Sequence, residues 1–307
     1  SKSLKQTEQN TIWAFKDGKK GQEKQIDALI SELSLFKEIK VFEFNAWEKH
    51  DSNPDIIIGA GNSTHKHMLT AKAEHPAAKT IVLMKPSLRP TQWFDVAIVP
   101  DMDKYYFVKP SNVITTKGVL SKYSEEETIP GTGLIVIGGK SRHYHFRKKV
   151  LIQQIEWLLN DVYKDYQWKI TTSPRSPNLD MPKHPGNAEF FSWKDTPEDW
   201  LSDQMKKSEI TFLTPESVSV LYEGLSTKTN VYVFHHEHHT DDQYGSKRKT
   251  KVTRNIDKLK KQGHIGFIDS KRHMLSRSIK SADLIHPNHD VLLCEVKEVV
   301  KKLLELP

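Results

Sequence analysis

The chain has 307 residues, is 36% apolar, carries 46 Lys and Arg against 39 Asp and Glu, and holds one cysteine, Cys294. That length points to more than one compact core. A lone cysteine excludes an internal disulfide and a cysteine-rich metal site, and it suits a reducing compartment.

No apolar run approaches the roughly 18 residues that span a bilayer, and the opening SKSLKQTEQN lacks the apolar region of a secretory signal, so a cytoplasmic protein is expected. The net charge of +7 favours anionic partners such as nucleotides, phosphorylated sugars or acidic lipids. Nucleic acid is not expected: the densest basic run, SKRKTKVTRNIDKLKK, has no interleaved aromatics and reads as a loop and a solvated helix.

Short apolar runs alternate with amphipathic helical patterns, the signature of parallel βαβ architecture. TIWAF reads as a strand, DGKKGQ as a turn, QIDALISEL as a helix and KVFEF as the next strand. PDIIIG is a third strand, running through GAGNSTH into the helix HKHMLTAKAE; TIVLM, DVAIVP and NVITT follow as strands. These form a first α/β domain, residues 1–117. Residues 118–133, with EEET, IPG and two further glycines, have the composition of a linker.

A second domain is expected over 134–287. GLIVIGG is a strand, FRKKVLIQQIEWLLNDVY a helix and YQWKITTS a strand. SPRSPNLDMPKHPGN is a loop, AEFFSW a strand and PEDWLSDQMKKS a helix. ITFLT and NVYVF are strands, and VTRNIDKLKKQG is a helix. Residues 288–307 read as a long amphipathic helix. The fold class expected is α/β with two Rossmann-like, doubly wound domains whose strand ends face a cleft.

Four strand-to-helix loops could carry chemistry: DGKKGQ (17–22), GAGNSTH (59–65), GGKSRHYH (138–145) and TPES (214–217). Glycines let backbone approach a ligand, and open amides at a helix start favour an anion. None is a P-loop or a GxGxxG fingerprint. In GGKSRHYH, Gly139, Lys140, Ser141 and Arg142 place two cations and a hydroxyl before an expected helix, a set suited to a diphosphate; a solvated basic turn is the alternative.

In TPESVSVLYEGL, Thr214 reads as an N-cap and Pro215 as the first helical residue. Val218, Leu221, Tyr222 and Leu225 share one face, and Glu216, Ser219 and Glu223 the opposite one. HHEHH (235–239) lies in a polar segment expected to be mobile, with no accompanying metal motif, so no metal is expected. There is no GxSxG.

The segments DGKKGQEKQ, PDIIIGAGNSTH, TIVLMKP, FDVAIVPDMD, NVITTKG, VIGGKSRHY, ITTSPRSP and TPESVSVLYEGLSTKTNVYVF, in order from about residue 12 to 268, resemble the mitochondrial fission family known for the plant elongated-mitochondria protein and its bacterial relatives. Gln22 departs from the pattern, where a histidine follows the second glycine in the family. The resemblance implies the GT-B fold of sugar-nucleotide transferases, with the donor on the second domain, the acceptor on the first and the C-terminal helix crossing back.

It further implies that Ser217 and Ser219 hold phosphate with the first-turn amides, that Glu223 accepts the ribose hydroxyls, and that Thr172, Ser173 and Glu216 belong to the donor side. Gly18, Gly21, Gly61 and Asn62 fall on acceptor-side loops. The expected activity is inverting, metal-independent transfer from a nucleotide sugar to a glycan or lipid-linked cell-envelope acceptor, such as a lipopolysaccharide core precursor, with peripheral contact at the inner face of an anionic membrane. No cofactor is expected.

Asp17 is the candidate base and also a natural turn residue before glycine; His65 is the second candidate. A sugar-nucleotide epimerase of the same fold and a non-catalytic recruitment scaffold, as the plant relative suggests, stay open.

Overall fold

A computed structural model describes residues 9–103, 105, 107–241, 248–269, 283–288 and 292–307. The chain divides into two compact units, Ser1–Tyr123 with Cys294–Pro307, and Ser124–Leu293. No helix among the described residues is long and apolar enough to cross a membrane.

The first unit contains β1 (Gln9–Phe15), α1 (Lys20–Leu33), β2 (Glu38–Phe44), β3 (Ile56–Ala60), α2 (Asn62–Glu74), β4 (Lys79–Leu83), β5 (Val96–Pro100) and β6 (Val113–Thr116). All six strands are parallel, in the order β2-β1-β3-β4-β5-β6. β3, β4 and β5 are buried along their whole length, which is why IIIGA, TIVL and VAIVP are unbroken apolar runs instead of alternating ones. One face packs Ile26, Leu29 and Leu33 of α1 against Ile58 and Ile81. The other face packs Met68 and Ala71 of α2 against Trp13, Phe15 and Val82.

The second unit follows with β7 (Ile129–Val136), α3 (Lys148–Trp157), β8 (Gln167–Thr171), β9 (Ala188–Phe191), α4 (Trp200–Lys207), β10 (Ser208–Leu213), α5 (Val218–Leu225) and β11 (Asn230–Val233). Then come β12 (Thr240–Asp241), β13 (Arg248–Lys249), α6 (Lys251–Lys261), β14 (Gly266–Ile268) and β15 (Leu284–Ile285). The large sheet has the order β15-β14-β11-β10-β7-β8-β9, parallel except for β15. β12 and β13 pair antiparallel in a separate two-stranded sheet.

Two expected element bounds are revised. Residues 129–133, read as linker, are the start of β7: Ile129 pairs with Ser208, and Gly133 is there for packing, since a Cβ would overlap the Trp168 ring. The final helix, α7 (Glu295–Leu304), is shorter than expected over 288–305. Asn288 donates its amide to Gly263 and Leu293 donates to Leu225, while 289–291 lie outside the described residues. α7 then packs Val296, Val299, Val300 and Leu303 into the core of the first unit beside α1. The expected basic run begins at 246–247, also outside the described residues, and α6 carries the rest.

Candidate functional site

In an open parallel sheet a ligand sits beyond the carboxyl ends of the strands where strand order reverses. In the second unit the chain runs outward through β7, β8 and β9, then returns to β10 on the other side of β7. The reversal therefore lies between β7 and β10, and the loops that follow them are Gly138–Gly139 and Thr214–Ser217.

These two loops are locked together. The Thr214 hydroxyl accepts from the Gly138 amide (2.8 Å) and donates to Glu216 Oε1 (2.7 Å); the same oxygen accepts from the Gly139 amide (2.9 Å). A Cβ on Gly138 would overlap Glu216 Oε1, and one on Gly139 would overlap the Arg175 carbonyl, so only glycine fits either position. Burial raises the Glu216 carboxyl above its ordinary range, against the pull of these hydrogen bonds and of Arg175, and its Oε2 is buried without a partner among the described residues.

The expected helix start is thus displaced. Thr214 and Glu216 are buried loop residues, and α5 begins at Val218 with Ser217 as N-cap. Thr214 caps nothing, because its hydroxyl is spent on the neighbouring loop. Glu216 lies before the helix and not on its outer face. Leu221, Tyr222 and Leu225 do form the buried face, and Tyr222 accepts a hydrogen bond from Asn255 of α6 (2.6 Å). Ser217 is buried and Ser219 half-buried at the amino end of α5. Glu223, on the second turn, is half-buried and accepts from the Ser202 hydroxyl of α4.

Lys140 and Arg142 are exposed and do not precede a helix directly, since α3 starts only at Lys148. Ser141 accepts from the amides of His143 (3.1 Å) and Tyr144 (3.3 Å), turning the loop outward. The loop then pairs with the histidine segment: Tyr144 bridges His238, the His145 amide donates to the Glu237 carbonyl, and the His239 amide donates to the His143 carbonyl. That segment, expected to be mobile, is tied down by this pairing. His235 and His236 are held in neutral form by burial, His236 with its pKa lowered to about 4. Among the described residues no cluster of three or more His, Cys, Asp or Glu could hold a metal ion.

Thr172 and Ser173 line a neighbouring cavity of about 690 Å³ beyond β8 and β9, with Asn178, Leu179, Phe190 and Trp193. Ser176 joins the cavity wall to the switch point: its hydroxyl lies 2.8 Å from the Ile137 carbonyl, 2.7 Å from the Gly138 carbonyl and 2.9 Å from the Ser173 amide. Phe190 and Trp193 were legible only as residues of the strand AEFFSW, which in the structure stops at Phe191. Their part in a cavity depends on the 172–182 loop folding over them.

In the first unit the order reverses between β1 and β3. A pocket of about 620 Å³ opens there, lined by Lys16, Asp17, Gly18, Asn45, Asn62, Ser63, Lys66, His67, Leu88 and Arg89. Asp17 Oδ1 accepts from the Lys19 amide (3.0 Å), the turn expected of Asp-Gly, while Oδ2 lies over Gly61. Gly18 (φ +82°) and Gly61 (φ +93°) take left-handed backbone that other residues resist. Gly21 is not in the loop but in the first turn of α1, where it accepts from Gln25 (3.4 Å); Gln22 beside it buries Oε1 without a partner among the described residues. Asn62 starts α2 and donates to Ser87 (2.7 Å).

His65 is turned away from this pocket. It is 2% exposed, edge-on to Phe94 at 5.2 Å, and burial with the nearby Arg89 charge lowers its pKa to about 4. The histidine that lines the pocket is His67, which the sequence reading did not single out. Its Nδ1 accepts from the Trp47 amide (3.0 Å) and its ring stacks on Phe15. Burial and Lys66 lower its pKa, so Nε2 carries the remaining proton and serves as a donor. The i, i+2 spacing in HKH put the two histidines on different sides of α2, which was the available signal.

Two doubly wound, parallel-dominated sheets, each with glycines and polar side chains at its switch point, define a two-unit α/β protein. The chain belongs to the mitochondrial fission ELM1 family, whose model matches residues 5–289. No curated protein matches the sequence.

Similar solved structures include the glycotransferase of kitacinnamycin, with 8% identity, 98% of this chain and 94% of that chain covered, and a TM-score of 0.49. A UDP-GlcNAc 2-epimerase from Methanocaldococcus jannaschii has 9% identity, 97% and 99% coverage, and a TM-score of 0.49. A glycosyltransferase from Rickettsia africae ESF-5 has 10% identity, 98% and 100% coverage, and a TM-score of 0.45.

Proposed function

We propose that the protein is a glycosyltransferase of the GT-B kind, moving a sugar from a nucleotide-sugar donor on the second unit to an acceptor on the first. The observation that carries this reading is that each sheet has its own polar site at its switch point. Transfer needs two substrate sites, whereas isomerisation of a nucleotide sugar needs one.

On this reading the cavity beside Thr172 and Ser173, within the usual size range for small-molecule sites, takes the nucleoside against Trp193 and Phe190. The diphosphate lies at the amino end of α5, against the hydroxyls of Ser217 and Ser219 and the first-turn amides. The two glycine amides of the 138–139 loop are already engaged, so their part is to hold the loop close. Lys140 and Arg142 offset charge on the leaving diphosphate. Glu223 takes the ribose hydroxyls in exchange for Ser202.

Asp17 removes the proton of the acceptor hydroxyl as its oxygen bonds to the anomeric carbon and the carbon–phosphate-oxygen bond breaks, a single displacement with inversion. The net charge of +7 supports work at an anionic cytoplasmic-membrane surface on a cell-envelope acceptor. Salt-sensitive flotation with anionic vesicles tests that last point.

The central test is a thermal-shift panel of UDP, GDP, ADP and CMP and their sugars, repeated on Glu223→Ala and Ser217→Ala. A ligand at 100 times its Kd stabilises by about 2.7 kcal/mol. One nucleotide should raise the midpoint and the substitutions should weaken the effect. No response at millimolar concentration would remove the transferase reading and favour a recruitment scaffold. Isomerised sugar without released nucleotide would favour the epimerase.

A further inference from the structure

We propose that the pocket at the switch point of the first unit binds a phosphate monoester through Arg89, Lys66, His67 and the amino end of α2. That this phosphate belongs to the acceptor rests on the transferase reading; that the pocket takes a dianion does not.

The charges in this pocket are not equivalent. Lys16 is neutralised by two carboxylates, Asp27 at 2.8 Å and Glu43 at 2.7 Å. Arg89 and Lys66 line the same pocket, and neither side chain has an ion pair or hydrogen bond among the described residues. Arg89 is half-buried. A guanidinium removed from part of its water with no anion beside it costs solvation that a bound anion would restore.

Three neighbours add donors. His67 presents Nε2–H, because Nδ1 is occupied by the Trp47 amide. Gly61, the N-cap of α2, has no side chain to satisfy the helix amides, and Asn62 and Ser63 of the first turn line the pocket. Two full cations with a helix amino end match a doubly charged phosphate better than a carboxylate. Asp17 is the one carboxylate lining the pocket among the described residues, and it would repel the anion from its own side. The phosphate is therefore directed toward Arg89 and Lys66, which leaves a hydroxyl of the same molecule free to meet Asp17.

The experiment is calorimetric titration of the full chain with glucose 6-phosphate, glucose and inorganic phosphate, together with co-sedimentation on phosphatidate and phosphatidylcholine vesicles. Glucose 6-phosphate should bind at least tenfold more tightly than glucose. Arg89→Gln with Lys66→Gln should remove most of that preference at an unchanged melting midpoint, and Lys140→Gln with Arg142→Gln should leave it intact. Binding of phosphatidate vesicles alone, lost in the Arg89/Lys66 variant, upholds the site and makes its phosphate a lipid headgroup.

Equal affinity for glucose and its phosphate with no vesicle binding, or indifference to the Arg89/Lys66 variant, overturns the proposal. Loss of nucleotide binding in the panel above with phosphate binding intact would remove the transferase reading and leave this site standing.

Discussion

Glu216 accepts the backbone amide of Gly139 at 2.9 Å, so a buried carboxylate from the loop after β10 fastens the loop after β7. The Thr214 hydroxyl shares the same oxygen. Glu216→Ala leaves these buried donors without an acceptor and should cost about 1–3 kcal/mol, read as a fall in chemical-denaturation midpoint. Glu216→Gln keeps an acceptor.

Because burial raises the Glu216 pKa from 4.5, the folded chain holds this proton more tightly than the unfolded one. Its contribution is fully present below pH 4.5 and is lost as pH rises through the folded-state value. The stability difference between Glu216→Gln and wild type should therefore shift in favour of the variant as pH rises from 4.5 toward neutrality. A pH-independent difference would contradict the buried carboxylate's shift.

His65 makes the opposite prediction. Its folded pKa of about 4 lies below the ordinary 6.5, so the unfolded chain binds this proton first. The stability due to neutral His65 is present above pH 6.5 and is lost as pH falls toward 4. Urea unfolding at pH 7 and pH 5 should show a loss of roughly 1–2 kcal/mol from this residue. His65→Phe should reduce the acid sensitivity and leave ligand binding at the first-unit pocket unchanged.

Gly61 joins the conformation of α2 to the position of Asp17. Its φ of +93° resists any side chain, and a Cβ would sit 2.6 Å from Asp17 Oδ2. Gly61→Ala should cost about 1–3 kcal/mol through strain. It should also lower turnover more than the stability loss explains, since the carboxylate must move. Calorimetry and kcat measured on the same preparation separate the two effects.

Asp17→Asn keeps the side-chain oxygen that accepts the Lys19 amide but removes the carboxylate proposed above as the base. Turnover should fall about 10²–10⁴-fold with nucleotide binding and melting midpoint unchanged. A variant with full turnover would transfer the base role elsewhere.

Much of the architecture was written in local chemistry. The unbroken apolar runs of β3, β4 and β5 could be satisfied only by strands covered on both faces, and the βα alternation then required parallel sheets. The loops after β1, β3, β7 and β10 were legible as loops at the carboxyl ends of strands because glycine and polar residues stood where the apolar runs stopped. The family was legible in the order of eight segments, and its model spans residues 5–289.

What local chemistry could not supply was the partner of each polar side chain. Thr214 reads as a cap in any sequence, yet the loop after β7 brings the Gly138 amide to it and the helix starts four residues later. His65 and His67 differ by two positions in one helix. Packing against Phe94 makes the first a neutral core residue, and the bend that brings Trp47 to the second makes it a pocket donor. Arg89 and Lys66 are ordinary basic residues in the sequence. Only the tertiary fold, which brings the segment after β4 beside the first turns of α2, puts them in one pocket with no carboxylate paired to either, because desolvation and charge pairing belong to neighbours in space and not in sequence.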